Sequence, residues 1–262
     1  MPVERVGEVE LHFELRGSGA VLLFIPGLGL DLGAWDEVAN ALSSHRSCLL
    51  VDNRGSGRSP APAGPYSVRD LAADIHGLLG LIGVDRVVAV GHSLGGFVAL
   101  QLALEHPESI GGLVLISTAA SGDLRRLGSA LDAPVALAWN RGPVEDIVRG
   151  NLIAAVAEGF PAKQSSRFEE FVATRLAHPA RGRGVAGQRD AVAAFDARER
   201  LWEVRCPTTV VHGLADRLVP PSLGRELARG IDGARLVELE GVGHLPLLEA
   251  PGELARIIDL SP

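Results

Sequence analysis

Gly91-His92-Ser93-Leu94-Gly95 decides how this chain is read. The pentapeptide follows an apolar run, Arg86 to Val90, and leads into a helical pattern from Gly95 to His106 that Pro107 ends. A serine on so sharp a strand-to-helix turn is held in a strained backbone conformation, with its hydroxyl raised above the carboxyl edge of a sheet. Small residues at 91 and 95 let strand and helix approach, and Gly96 adds room. The helix N-terminus behind the serine brings the positive end of a dipole. A nucleotide-binding turn would carry Gly-x-Gly-x-x-Gly after the first strand, and that pattern is absent.

On either side, short β-type runs alternate with helical patterns, which predicts an α/β fold with a mostly parallel sheet and helices on both faces. Glu8 to Leu15 alternates in character and is expected to be an exposed antiparallel strand, whereas Val21 to Ile25 is continuously apolar and is expected to be central. Further strands are predicted at Ser47 to Val51, Leu113 to Ser117, Thr208 to His212 and Ala234 to Leu239. Helices are predicted at Val68 to Ile82, Ser222 to Arg229 and Gly252 to Leu260. The alternation stops between about 121 and 200, where the chain is helix-like with scattered Gly and Pro. That stretch reads as a helical lid inserted between core segments 1–120 and 201–262, because unstructured loops of such length are rare.

A serine hydroxyl needs a base within reach. His244 is the candidate, in the glycine-rich loop Gly241-Val242-Gly243-His244-Leu245-Pro246 after the last predicted strand. His12, His45, His76, His106 and His178 sit in the leading strand, helices or polar contexts and are expected at the surface. His92 should point away from Ser93, and His212 should be a hydrogen-bonded structural residue. The carboxylate that holds the imidazole in its working tautomer is expected to be Asp216, in His212-Gly213-Leu214-Ala215-Asp216; Asp123 is the rival. The oxyanion hole needs two amides: that of Leu94, after the nucleophile, and one from Pro26-Gly27-Leu28-Gly29, where Leu28 is the choice.

Taken together, Pro26-Gly27-Leu28-Gly29, Asp52-Asn53-Arg54-Gly55-Ser56-Gly57-Arg58-Ser59, the serine pentapeptide with Gly96, His212 to Asp216 and Gly243-His244-Leu245-Pro246 resemble the α/β-hydrolases over nearly the whole chain. The order Ser93, Asp216, His244 is the nucleophile–acid–base order of that fold. The core is most similar to 3-oxoadipate enol-lactonases, small esterases and peroxidase-like members, with Tyr66-Ser67-Val68-Arg69-Asp70-Leu71 and His106-Pro107-Glu108 adding to the likeness. Pro26 stands where a histidine is usual. Relatives with an Asp nucleophile, haloalkane dehalogenases and epoxide hydrolases, are excluded by Ser93. The lid tyrosines of epoxide hydrolases are also missing, since Tyr66 is the single tyrosine and lies outside 121–200. The single lysine, Lys163, lies in the lid's polar stretch rather than near the serine, unlike that of hydroxynitrile lyases.

This resemblance implies hydrolysis of a small carboxylic ester or lactone through an acyl-enzyme. Two alternatives stay open: carbon–carbon bond hydrolysis or cofactor-free peroxide chemistry on the same residues, and a non-catalytic small-molecule receptor. Candidates for lining a substrate pocket are Trp139, Phe160, Phe168, Phe171, Val219 and Leu245, with packing on the core the alternative for each. Arg125, Arg126, Arg141, Arg149 and Arg167 are candidates for meeting a substrate carboxylate, with solvent exposure the alternative.

No cofactor or metal is expected, because no histidine or cysteine pair has ligand spacing and no dinucleotide or phosphate loop is found. The formal net charge of −7 argues against nucleic-acid and anionic-membrane partners. The two cysteines, Cys48 and Cys206, read as buried free thiols. With no signal-peptide core and no membrane-length apolar run, a cytoplasmic protein is expected, and a homodimer is left open.

Overall fold

The computed structural model describes residues 3–123, 126, 143–178 and 182–261. Eight strands form one sheet: β1 (Val3–Val6), β2 (Val9–Gly17), β3 (Val21–Ile25), β4 (Ser47–Val51), β5 (Val87–His92), β6 (Ile110–Ile116), β7 (Thr208–Gly213) and β8 (Arg235–Leu239). Their spatial order is β1-β2-β4-β3-β5-β6-β7-β8. The β1–β2 and β2–β4 pairs are antiparallel, and β3 to β8 run parallel. β1 is not expected from the sequence. It makes β2 an inner strand, so the expectation of a largely exposed strand at Glu8 to Leu15 is corrected: Val9 and Leu11 to Phe13 are buried.

Parallel strands need crossovers, and helices on both faces supply them. Successive side chains of a strand point to opposite faces. Leu23, Leu49, Ala89, Leu113 and Val210 therefore enter one core, against α2 (Val68–Leu81), α3 (Leu94–Glu105) and α8 (Pro221–Gly230). Phe24, Leu50, Val90, Val114 and Val211 enter the other, against α1 (Asp36–Leu42) and α9 (Pro251–Asp259). Each large apolar side chain buried this way stabilises the fold by about 1.5–3 kcal/mol. α2 begins where it does because Ser67 and Asp70 form a capping box: Asp70 N donates to Ser67 Oγ (3.3 Å) and Ser67 N to Asp70 Oδ2 (2.7 Å).

Between β6 and β7 the described residues form α4 (Val144–Ala155), α5 (Phe160–Lys163), α6 (Ser165–Ala177) and α7 (Gly182–Ala194), then a 3-10 turn at Arg198–Glu203. The two ends of this stretch are laced together. Ala197 N donates to Ala120 O and Gly122 N to Phe195 O, both at 2.9 Å, around an antiparallel bridge between Ser121 and Asp196. Cys48 and Cys206 are free; Cys48 is buried as expected, whereas Cys206 is only half-buried at the start of β7's approach. Among the described residues no helix is long and apolar enough to cross a membrane.

Candidate active site

The turn after β5 is built by steric necessity. A Cβ on Gly91 would strike the Gly95 carbonyl, and one on Gly95 would strike the Ile25 carbonyl, so neither position accepts a side chain. Between them Ser93 has φ 53° and ψ −116°. A non-glycine residue there costs on the order of 1–3 kcal/mol, and the surroundings hold it in place. Ser93 N donates to Ile116 O (2.9 Å), while Ser93 O accepts from Gly96 N (2.9 Å) and Thr118 Oγ1 (2.8 Å). The serine is only half-buried, at the N-terminus of α3.

Asp216 follows β7 and His244 follows β8, both at the carboxyl edge where Ser93 follows β5. His244 Nδ1 lies 2.8 Å from Asp216 Oδ2, and both residues are buried. Asp216 Oδ1 accepts from the amides of Leu218 and Val219, each at 2.9 Å. Burial alone would raise the Asp216 carboxyl; the charge of His244 and the hydrogen bonds from His212 and His244 outweigh it and hold the group well below the usual range. An ionised carboxylate only accepts, so the shared proton sits on His244 Nδ1, and in the neutral form of the ring the lone pair is on Nε2. Among the described residues no hydrogen bond joins Ser93 Oγ to the His244 ring, a contact that in enzymes without substrate is commonly longer than in the reacting complex.

The His92 ring turns from the serine to its neighbours. Its Nε2 donates to the His244 carbonyl (2.8 Å), and its ring centroid lies 4.9 Å from that of His244. Full burial and the nearby His244 push its imidazole down to about 3, so it stays neutral. His212 Nε2 donates to Val219 O (2.9 Å) and lies 3.4 Å from Asp216 Oδ2, a structural role next to the acid.

The loop after β3 rests on this turn. A Cβ on Gly27 would lie 3.2 Å from Ser93 Cβ and 2.8 Å from His92 Nδ1. Asn53 Nδ2 donates to Pro26 O (3.1 Å), and Leu30 N to Gly27 O (3.1 Å). Among the described residues neither the Leu28 nor the Leu94 amide donates to a protein acceptor.

Comparison with known proteins gives this arrangement a family. The sequence model of the alpha/beta hydrolase fold matches residues 20–251. The chain belongs to the α/β-hydrolase family. It is 31% identical over 246 residues to the protein of Azorhizobium caulinodans provisionally named carbamate hydrolase RutD, covering 93% of this chain and 91% of that one. The enol-lactonase of Burkholderia xenovorans LB400 superimposes with a TM-score of 0.87, at 28% identity over 98% of both chains. Est816, described as an N-acyl homoserine lactone degrading enzyme, gives a TM-score of 0.82 at 26% identity, covering 98% of this chain and 99% of that one.

Within this hydrolase the remaining sequence candidates fall in several places. Phe160, Phe168 and Leu245 are buried in one apolar cluster with Leu152, Val156, Val172 and Leu248, which packs α4, α5 and α6 onto the loop that carries His244. Phe171 borders that cluster with the Arg175 guanidinium over its ring. Val219 is buried and serves the acid through its backbone. Trp139, Arg125 and Arg141 lie outside the described residues. Arg126, Arg149 and Arg167 are paired with Glu226, Glu169 and Glu37. Asp123 lies in the laced neck, and the carboxylate in contact with His244 is that of Asp216.

His12 corrects an expectation: it is buried, because the loop 52–59 covers its side of β2, and its Nδ1 lies 3.0 Å from Asp52 Oδ2. Sequence reasoning also missed Glu249. Its carboxylate accepts from Gly243 N (3.0 Å), Leu245 N (3.2 Å) and Ala157 N (2.8 Å), while His244 N donates to Ala155 O (2.7 Å). Burial pushes this carboxyl up. The one signal was an acid in the otherwise apolar run Leu245 to Ala250. Among the described residues no cluster of three or more His, Cys, Asp or Glu is arranged to hold a metal ion.

Proposed function

We propose that this α/β-hydrolase cleaves a carboxylic ester or lactone of a small organic substrate through an acyl-enzyme. The observation that carries the reading is the 2.8 Å His244–Asp216 contact beside a half-buried serine held at φ 53°. In this mechanism Ser93 Oγ attacks the carbonyl carbon as His244 Nε2 takes its proton. The oxyanion is held by the amides of Leu28 and Leu94, and His244 returns the proton to the leaving alkoxide. Water then attacks the acyl-enzyme with His244 again as base, releasing the acid and restoring the serine. Asp216 keeps the imidazole in the Nδ1–H tautomer and stabilises the imidazolium. Residues 121–200 act as the lid over this site.

The enol-lactonase and lactone-degrading neighbours support an oxygen-linked acyl substrate. The carbamate hydrolase relative adds a carbamate carbonyl, which takes the same attack. The test is turnover of a panel of p-nitrophenyl esters, lactones and carbamates by the native protein and Ser93→Ala, with mass spectrometry after an organophosphate. The reading requires Ser93-dependent turnover and an adduct on Ser93. Undiminished turnover by Ser93→Ala would sink it.

A further inference from the structure

The helical insertion reaches the oxyanion loop through one side chain that no motif points to. Gln188 of α7 is fully buried. Its Oε1 accepts from Gly29 N (3.0 Å), and its Nε2 donates to Arg54 O (3.0 Å) and Ser56 Oγ (2.8 Å). Both amide protons and the amide oxygen are thus engaged. The amide's orientation follows from its partners, because Gly29 N–H only donates and Arg54 C=O only accepts. Turning it over would set NH₂ against N–H and carbonyl against carbonyl.

The helix can come this close because of what precedes Gln188 on the same face. Gly184, Gly187, Gln188 and Ala191 are all buried, at the spacing of one helical stripe. A Cβ on Gly184 would strike the Gly55 backbone, and one on Gly187 would strike the Tyr66 ring. Tyr66 Oη donates to Gly184 O (2.9 Å). α7 therefore lies with bare backbone against residues 54–66, and Gln188 spans the remaining gap to residue 29.

We infer that Gln188 is a positioning residue for the oxyanion hole; the inference rests on the reading of Leu28 as an oxyanion donor. Gly29 has φ 72°, as the third residue of a type II turn requires, and Leu30 N closes that turn onto Gly27 O. Gln188 takes the Gly29 amide, whereas among the described residues the Leu28 amide donates to no protein acceptor. It also fixes the plane of the peptide that follows Leu28. Asn53 holds Pro26 on one side of the turn, and Arg175 of α6 holds Asp31 on the other (2.6 Å). Gln188 is the contact in the middle.

An oxyanion donor acts on charge that exists only in the transition state, so loosening it lowers kcat and leaves KM in place. Gln188→Met keeps the volume and removes all three hydrogen bonds. Its kcat for a Ser93-dependent ester should fall about tenfold to a hundredfold, less than the loss of a donor outright. KM should stay near native, and affinity for a trifluoromethyl ketone, which forms an oxyanion on Ser93, should weaken by the same factor as kcat. Ser56→Ala, which removes one of the three bonds and leaves those to Gly29 and Arg54, should lose less kcat than Gln188→Met.

A native kcat in Gln188→Met, or a loss confined to KM, overturns the inference while Ser93-dependent turnover stands. Undiminished turnover in Ser93→Ala removes the reading beneath it and the inference together. Should Gln188→Met not fold, amide exchange in the native protein decides. Gly29 N–H should be protected in the free protein, and Leu28 N–H should become protected only when the ketone binds. An unprotected Gly29 amide overturns the inference.

Discussion

The buried pairs His244–Asp216 and His12–Asp52 both stand at the carboxyl edge of this sheet, each near a serine. His244 and Asp216 approach to 2.8 Å, and His12 and Asp52 to 3.0 Å. Asp216 follows β7 and Asp52 follows β4. The pairs differ in what surrounds them. Arg58 Nη1 lies 3.3 Å from His12 Nε2, so the lone pair a base would use already faces a guanidinium. Ser59 Oγ donates to Asp52 O (2.8 Å) and accepts from the backbone N–H of His12 (3.0 Å), so it is spent on the main chain. Ser93 sits instead, half-buried, on a strained turn with its backbone locked. Residue types and a short contact do not distinguish the two places. Among the described residues, an imidazole nitrogen and a serine hydroxyl without a protein partner do.

The largest effect expected is on chemistry at the first pair alone. His244→Ala should lower kcat by about 10⁴-fold or more, and Asp216→Asn by about 10⁴-fold, since the amide cannot hold the working tautomer. His12→Ala and Asp52→Asn should leave kcat of the folded fraction close to native. Ester turnover with active-site titration measures both arms. A comparable loss of turnover in Asp52→Asn would make the two pairs functionally equivalent.

Stability should invert the ranking. Asp52→Ala strips the acceptor from Leu32 N (2.7 Å) and Arg58 N (2.9 Å) and leaves His12 without its partner. Breaking a buried, hydrogen-bonded pair from one side costs about 3–5 kcal/mol. Urea unfolding followed by circular dichroism should show this loss. An unchanged midpoint would mean that the second pair is not structural either.

The local features of the first pair were legible in the sequence. The serine turn is a strand, a small-residue motif and a helix in succession, and each piece has its own pattern. Asp216 and His244 each follow a recognisable strand. What was hidden lies in contacts between distant segments. Nothing in the alternation of β2 says that residues 52–59 fold over His12. Gln188 and Glu249 act on backbone amides, and an amide leaves no mark in a sequence. β1 and α1 were hidden for a plainer reason: four and seven residues are too short for periodicity to declare itself.

Acid should separate the two aspartates by sign. Asp216 is held below the usual carboxylate value, so the native state binds fewer protons than the unfolded one. Its contribution is present above about pH 3.9 and is lost as pH falls through the folded value. Asp52 is raised, chiefly by burial and further by the like charge of Asp31, against the amides of Arg58 and Leu32 and the His12 ring. There the native state binds the proton more tightly, so stability falls as pH rises from about 3.9 through the folded value. Native minus Asp216→Asn should therefore rise with pH up to about 3.9 and level off above it, whereas native minus Asp52→Asn should stay level below about 3.9 and fall above it. His92, pushed down to about 3, adds a window at higher pH. Its unfolded value is about 6.5, so stability should fall by about 1.4 kcal/mol per unit as pH drops below that, and His92→Gln should flatten the trend. Parallel slopes for the two Asn variants would mean that the pairs are electrostatically alike.

The smallest effect concerns the serine that has the right neighbours and no freedom. Ser59 is buried, and its hydroxyl joins the backbone of His12 to that of Asp52. Ser59→Ala leaves one N–H and one C=O without that bridge, which should cost about 1–3 kcal/mol of stability and no turnover. The same variant should take up an organophosphate on Ser93 at the native rate, because its lost bonds lie in the loop after β4 and not on the turn after β5. Labelling kinetics with peptide mapping reads this directly. An adduct on Ser59 in the native protein, or slowed labelling of Ser93 in Ser59→Ala, would show that the second pair does communicate with Ser93. Exposure and backbone strain would then not be what sets the two serines apart.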